Sequence, residues 1–232
     1  MPDNNKHTLV DSPFLGFDLE TTGVDVRTAR VVTASLVYER DDDLTAMTFV
    51  ANPGIPIPPE STNIHGFTDD MVKDARPGAE VVRDLRDLIE QGWNEGRTLT
   101  GHNISYDFGV LNAELERYGE EPFKVTGPVI DTMVLHRMAG NKKATLAVVA
   151  DYYGVVNKSA HSSEEDTIAT VKIAQIMRDK SAYLRQTDLR DLFRQQQHSH
   201  KVWAAGLQSY FTRIGKNEKV NDDWPVQCPT EK

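Results

Sequence analysis

The chain has 232 residues, a formal net charge of −9 and a hydrophobic share of 39%, with a mean hydropathy of −0.49. That length fits one domain with a C-terminal appendage. No run reaches the roughly 18 apolar residues of a membrane helix, so no membrane partner is expected. The acidic balance excludes a protein that coats duplex DNA electrostatically, which needs clustered Lys and Arg. It is compatible with one that meets phosphate through cations held among carboxylates. Cys228 is the only cysteine, which excludes an intrachain disulfide and a cysteine-based zinc site. Residues 1–13 lack the apolar core of a secretory signal, and a cytoplasmic location is expected.

Three β-rich stretches open the chain, residues 14–18 (FLGFD), 30–38 (RVVTASLVY) and 45–51 (TAMTFVA). The short connections predict an antiparallel meander. Residues 52–59 hold four prolines and predict an extended loop. Helical patterns follow at 69–75 and 79–93, the second with Val81, Val82, Leu85, Leu88 and Ile89 on one face. A strand at 98–102 leads into a helix over 105–118, and a strand-like segment at 125–130 leads into a helix over 132–138. Strands alternating with helices predict parallel pairing. Helices are expected at 145–153, 163–178 and 189–214. The fold class is therefore α/β, a ribonuclease H-like mixed sheet of three antiparallel strands and then βαβα units, flanked by helices. The expected division is a flexible N-terminus (1–13), a catalytic domain (14–180) and a C-terminal helical extension and tail (181–232).

Asp18 and Glu20 lie at the end of the first strand, in Asp18-Leu19-Glu20-Thr21-Thr22-Gly23. Residues two apart on a strand share a face, so both carboxylates can reach one metal ion while Phe17 and Leu19 turn into the core. With residue types used at roughly 5–7% each, the five specified residues of this pattern arise by chance about once in several thousand such chains. Asp107 falls in Gly101-His102-Asn103-Ile104-Ser105-Tyr106-Asp107-Phe108, on the rim of a helix whose buried stripe is Phe108, Leu111, Leu115 and Tyr118. Taken alone it also fits a carboxylate stabilised by the helix N-terminus, with Asn103 or Ser105 as cap. His161 and Asp166 come from Ala160-His161-Ser162-Ser163-Glu164-Glu165-Asp166. Ser162 and Glu165 are spaced as a capping box, which puts His161 on the loop before the helix and Asp166 in its first turn.

The three segments, in this order and on these elements, resemble the Exo I, Exo II and Exo III motifs of the DEDD exonuclease superfamily, over roughly residues 14–178. His161 stands five residues before the last aspartate, so the chain is similar to the histidine branch, DEDDh, and to the DnaQ-like proofreading epsilon subunits of bacterial DNA polymerase III. The resemblance implies a 3′→5′ exonuclease that releases nucleoside 5′-monophosphates by a two-metal mechanism with Mg²⁺ or Mn²⁺. Asp18, Glu20 and Asp166 would hold one ion, Asp18 would bridge to a second supported by Asp107, and His161 would act as general base. It also implies that Thr21, Glu60, His65 and Asn103 contact the substrate. Ser163 and Thr167 stand where the family often has Ala, which bears on local packing. The implied partner is a single-stranded 3′ end, with DNA favoured over RNA. A DNA polymerase is a candidate partner, and roles in replication or repair follow. An exoribonuclease uses the same five residues, and a retired nuclease fold serving as a binding module is a third reading. Basic and aromatic residues interleave along 189–214, and Trp224 is expected to dock the tail into the domain.

Overall fold

The computed structural model describes residues 6–41, 43–157 and 162–228. The three opening strands form β1 (Phe14–Thr21), β2 (Val31–Arg40) and β3 (Asp43–Asn52), paired antiparallel as expected. Helix α1 (Pro59–His65) follows, then α2 (Asp69–Val72), the two-residue strand β4 (Arg76–Pro77) and α3 (Gly78–Asn94). Helix α1 was not expected. It starts where the proline run ends because Pro59 at the first helical position has its φ already set and needs no N–H partner.

Strand β5 (Thr98–Gly101) feeds α4 (Ile104–Arg117), and β6 (Val129–Asp131) feeds α5 (Thr132–Met138). The sixth strand is shorter than the sequence suggests. Pro128 has no N–H to give, and its carbonyl instead accepts from Leu99 N–H and Trp93 Nε1, both at 3.0 Å. Helices α6 (Leu146–Tyr153), α7 (Ser163–Lys180), α8 (Ala182–Gln186) and α9 (Leu189–Arg213) complete the described elements.

The sheet order is β4-β3-β2-β1-β5-β6, with β5 and β6 parallel to β1. Its two faces bury different sets. Leu15, Phe17 and Leu19 of β1 pack with Val81, Leu85 and Ile89 of α3 and Phe108 and Leu111 of α4. Phe14 and Val37 pack with Val171, Ile173 and Ala174 of α7 and with Leu192 of α9. Residues 7–13, expected to belong to a flexible N-terminus, contribute the fully buried Leu9 to this second layer, and the Leu189 N–H donates to the His7 carbonyl at 2.8 Å.

The free edge of β6 is closed by a side chain. Gln196 of α9, fully buried, accepts from the Asp131 N–H (2.8 Å) and donates through Nε2 to the Val129 carbonyl (3.1 Å). A single amide thus satisfies backbone groups that a seventh strand would otherwise take. Among the described residues no helix is long and apolar enough to cross a membrane.

Candidate active site

The site lies at the carboxyl ends of the parallel strands, where open α/β sheets place their ligands. On β1 the face that bears Asp18 and Glu20 also bears Gly16. A Cβ at Gly16 would lie 2.5 Å from Val171 Cγ2 and 2.6 Å from Thr167 Cγ2. The bare position lets α7 approach closely enough for Asp166 in its first turn to meet the strand. Carboxylate oxygens of Asp18, Glu20 and Asp166 all lie within 4.8 Å of one another.

The two departures from the resembled pattern are accommodated here. Ser163 Oγ hydrogen-bonds Thr33 Oγ1 (3.1 Å) and Ser35 Oγ (3.0 Å), which stand opposite Glu20 and Asp18 on β2. Thr167 Oγ1 donates to the Ser163 carbonyl at 2.5 Å while its methyl faces Gly16. Both hydroxyls are buried and satisfied. The expected capping box does not form. Ser162 is the N-cap by backbone geometry but its side chain makes no capping bond, and the helix opens on the Asp166 N–H donating to the Ser162 carbonyl at 2.9 Å.

Asp107 adjoins this group without being one of the three converging carboxylates. Strand β5 ends at Gly101 while β1 runs on to Thr21, and the Leu19 N–H, beyond the reach of β5, donates to Asp107 Oδ1 at 3.1 Å. The carboxylate is buried against the strand between the two acids. Asn157 Nδ2 donates to Asp166 Oδ1.

Three of these acids, Asp18, Glu20 and Asp107, hold their protons more tightly than free carboxyls do. Burial raises Asp18 well above the usual carboxylate range, with Asp107, Glu20 and Asp166 adding to it. Burial also raises Asp107, partly offset by the Leu19 N–H. Glu20 is pushed up to about 8, first by burial and then by Asp166. An all-oxygen set of this kind suits a hard divalent cation, and the described residues bring no thiolate or imidazole into it.

A stability prediction follows from the signs. Each of these folded-state pKa values lies above its unfolded value, so each stabilising contribution is present at low pH and lost as pH rises; for Glu20 it is complete below about pH 4.5 and is lost as pH rises through about 8. A divalent cation competes with those protons. Saturating Mn²⁺ is therefore expected to raise the thermal midpoint more at pH 8 than near pH 5.5, and equal shifts in thermal scans at the two values would count against it.

The expected substrate contacts fall into place unevenly. His65 ends α1, and the Phe67 N–H donates to its Nδ1 at 3.1 Å, which leaves Nε2 as the protonated nitrogen of the neutral ring. That Nε2 is buried and faces the Thr21 backbone, with no hydrogen bond within 3.5 Å among the described residues. Burial lowers the pKa of His65, with partial compensation from the nearby Thr21 backbone. Glu60, on the same helix, is exposed. The Thr21 hydroxyl is engaged within the protein, donating to the Tyr106 hydroxyl (2.7 Å) and lying 2.8 Å from the Gly23 carbonyl. Asn103 is exposed and held at φ 66°, a left-handed conformation that Asn tolerates better than most residues. His161 lies outside the described residues.

The RNase T exonuclease family model matches residues 15–174. The chain belongs to this exonuclease family. The resemblance read from the three motifs is thus borne out, as are the α/β class and the mixed sheet. PolC-type DNA polymerase III of Streptococcus pneumoniae is 28% identical over 175 residues, which are 71% of this chain and 11% of that protein. The Listeria innocua protein of the same name is 29% identical over 175 residues, 74% of this chain and 12% of that one. The chain therefore spans about a ninth of the length of the relatives it matches. In fold it is similar to E. coli exonuclease I in a zinc-bound complex with single-stranded DNA, with a TM-score of 0.67 and 17% identity over 84% of this chain and 45% of that one. Exonuclease X bound to 5′-overhanging duplex DNA gives 0.52 and 20%, covering 74% and 96%.

Two residues that sequence reasoning did not single out organise the site of this exonuclease-family chain. The Tyr106 hydroxyl donates to the Gly23 carbonyl and ties down the loop after β1; burial pushes its pKa up to about 12, so it stays a donor. Asp131 is fully buried and caps two helices at once. It accepts from Asn103 and Ile104 N–H at the start of α4 (3.0 and 3.1 Å) and from Met133 and Val134 N–H at the start of α5 (2.9 and 3.3 Å). An acid directly before a helix is a readable N-cap signal for α5. Its grip on α4, which starts 27 residues earlier in the chain, has no local signature.

Proposed function

We propose that this chain hydrolyses the 3′-terminal phosphodiester of single-stranded or frayed DNA and releases nucleoside 5′-monophosphates, in proofreading or repair. The observation that carries the reading is the convergence of Asp18, Glu20 and Asp166 within 4.8 Å at the end of the sheet, with Asp107 adjoining. Bound Mg²⁺ or Mn²⁺ would supply positive charge at the non-bridging oxygens and lower the pKa of the attacking water. Asp18, Glu20 and Asp166 would hold one ion, and Asp107, oriented by the Leu19 N–H, would support the second. His161 would take the proton of the attacking water, a role that rests on the resemblance to the histidine branch of the superfamily. The names of the relatives, DNA polymerases among them, support DNA as substrate and a polymerase as partner.

The buried, unpaired Nε2 of His65 supports a contact with the terminal nucleotide, since such a donor gains most when a ligand oxygen meets it. Thr21, its hydroxyl engaged, offers its backbone, and Glu60 and Asn103 are exposed to take further contacts. His65→Ala is expected to raise KM for a DNA oligomer about tenfold, the worth of one such hydrogen bond, with a smaller change in kcat. Steady-state kinetics would show it; an unchanged KM removes His65 from the substrate site.

The test of the function is a Mg²⁺-dependent digestion series on matched single-stranded DNA, mismatched duplex and RNA oligomers labelled at the 5′ end. Stepwise shortening of DNA is expected. Faster loss of RNA would reassign the substrate, and no shortening of any oligomer would overturn the reading.

A further inference from the structure

Residues 220–228 run from α9 to the helix that carries Asp107. The Trp224 side chain is buried, packs on Phe193 of α9 with ring centroids 5.0 Å apart, and directs Nε1 at Asp131 Oδ2 (3.4 Å). Gln197 of α9 holds the Trp224 carbonyl at 3.3 Å. Three residues on, the Gln227 N–H donates to the carbonyl of Ser105, the second residue of α4, at 2.8 Å. One turn further along α4 the tail meets the helix again. A Cβ at Gly109 would lie 2.6 Å from the Gln227 carbonyl oxygen and 3.1 Å from Val26 Cγ1 in the loop after β1. The tail, the first two turns of α4 and that loop therefore touch at a position where the helix has no side chain.

Asp107 sits between the two contacted residues, with its carboxylate on the far side against Leu19. The first turn of a helix is where backbone groups lack intrahelical partners and fraying begins. Here the turn is held from both ends. Asp131 takes the N–H groups of Asn103 and Ile104, and the tail takes the carbonyl of Ser105 while presenting an indole N–H to the same Asp131.

We infer that the C-terminal segment is a positioning strap for Asp107, in which Gln227 and Trp224 fix the first two turns of α4 and so set where Asp107 stands relative to Asp18, Glu20 and Asp166. This rests on the reading of Asp107 as part of the hydrolytic centre. Trp224 and Gln227 are positioning residues: they reach the reacting groups only through Ser105 and Asp131.

The test uses the full chain and a matched pair of variants. Gln227→Pro removes the N–H that Ser105 accepts, whereas Gln227→Ala keeps it. Groups that orient a ligand commonly cost about tenfold in metal affinity or rate when lost, so Gln227→Pro is expected to lower kcat about tenfold and weaken Mn²⁺ binding by calorimetry about as much. KM for the oligomer should stay within about twofold, because the strap does not touch substrate. Gln227→Ala should match the parent, and Trp224→Phe, which keeps an aromatic ring but loses the N–H, should fall between. If Gln227→Pro is folded by circular dichroism and keeps the parent kcat and Mn²⁺ affinity, with only a lower thermal midpoint, the strap is overturned while the reading of the site stands. If the parent shows no metal-dependent hydrolysis, or Asp18→Ala retains it, the reading of the site falls and the strap falls with it.

Discussion

Asp18→Ala is expected to abolish Mg²⁺-dependent shortening of a single-stranded DNA oligomer, by about 10³-fold or more, while the protein stays folded. Asp18 has Glu20 beside it on the same face of β1, Asp166 across the gap to α7 and Asp107 on the opposite flank. It is thus the carboxylate on which all the other acids bear, and its loss removes a group that no neighbour can replace. The same crowding predicts the stability of the variant. A buried acid that must keep its proton among other acids contributes nothing favourable to the metal-free fold at neutral pH, so the thermal midpoint without metal should equal or exceed that of the parent. Only in Mn²⁺ should the parent regain the advantage. Gel assays and thermal scans with and without metal measure both halves. Substantial activity in Asp18→Ala would sink the assignment of the site.

Asp131→Ala should have the largest effect on stability, about 2–4 kcal/mol, with little dependence on metal. The carboxylate is fully buried and accepts from four backbone N–H groups at two helix starts. Losing a helix cap costs about 0.5–2 kcal/mol, more where the donors are buried and water cannot replace the oxygen. For a chain of this size that corresponds to a fall in midpoint of roughly 5–15 °C. Asp131→Asn, which keeps one acceptor oxygen, should recover part of it. Denaturant unfolding of the three proteins measures the effect, and an Asp131→Ala midpoint within about 2 °C of the parent would show that α4 and α5 hold their first turns by other means.

These two residues also mark how far the amino-acid order alone can be read. Asp18 and Glu20 were legible because the period-two geometry of a strand fixes which side chains share a face, and Asp-x-Glu-Thr-Thr-Gly seldom arises by chance. The meander, α3 and α5 were legible for a related reason, since the alternation of apolar residues reflects one element at a time. Helix α1 was hidden by its prolines, which argue for a loop until one of them is recognised as the first helical residue. The capping box at Ser162 was a local pattern that the fold did not use. There the Ser163 and Thr167 hydroxyls look to β2 and to the helix itself rather than to the N-terminus.

What the sequence determined, then, is the family and the α/β class, and it nominated the acids of the candidate site, because each is written in short stretches of neighbouring residues. The tertiary structure alone decided which acids meet. Asp166 reaches Asp18 and Glu20 because Gly16 has no side chain to keep α7 away, and Asp107 reaches Leu19 because β5 stops short of the end of β1. It also decided that Asp131 would hold α4 and that Trp224, at the far end of the chain, would lie against Asp131. Such relations depend on close approach between segments separated by up to about 150 residues. Backbone packing sets that approach, and no spacing along the chain records it.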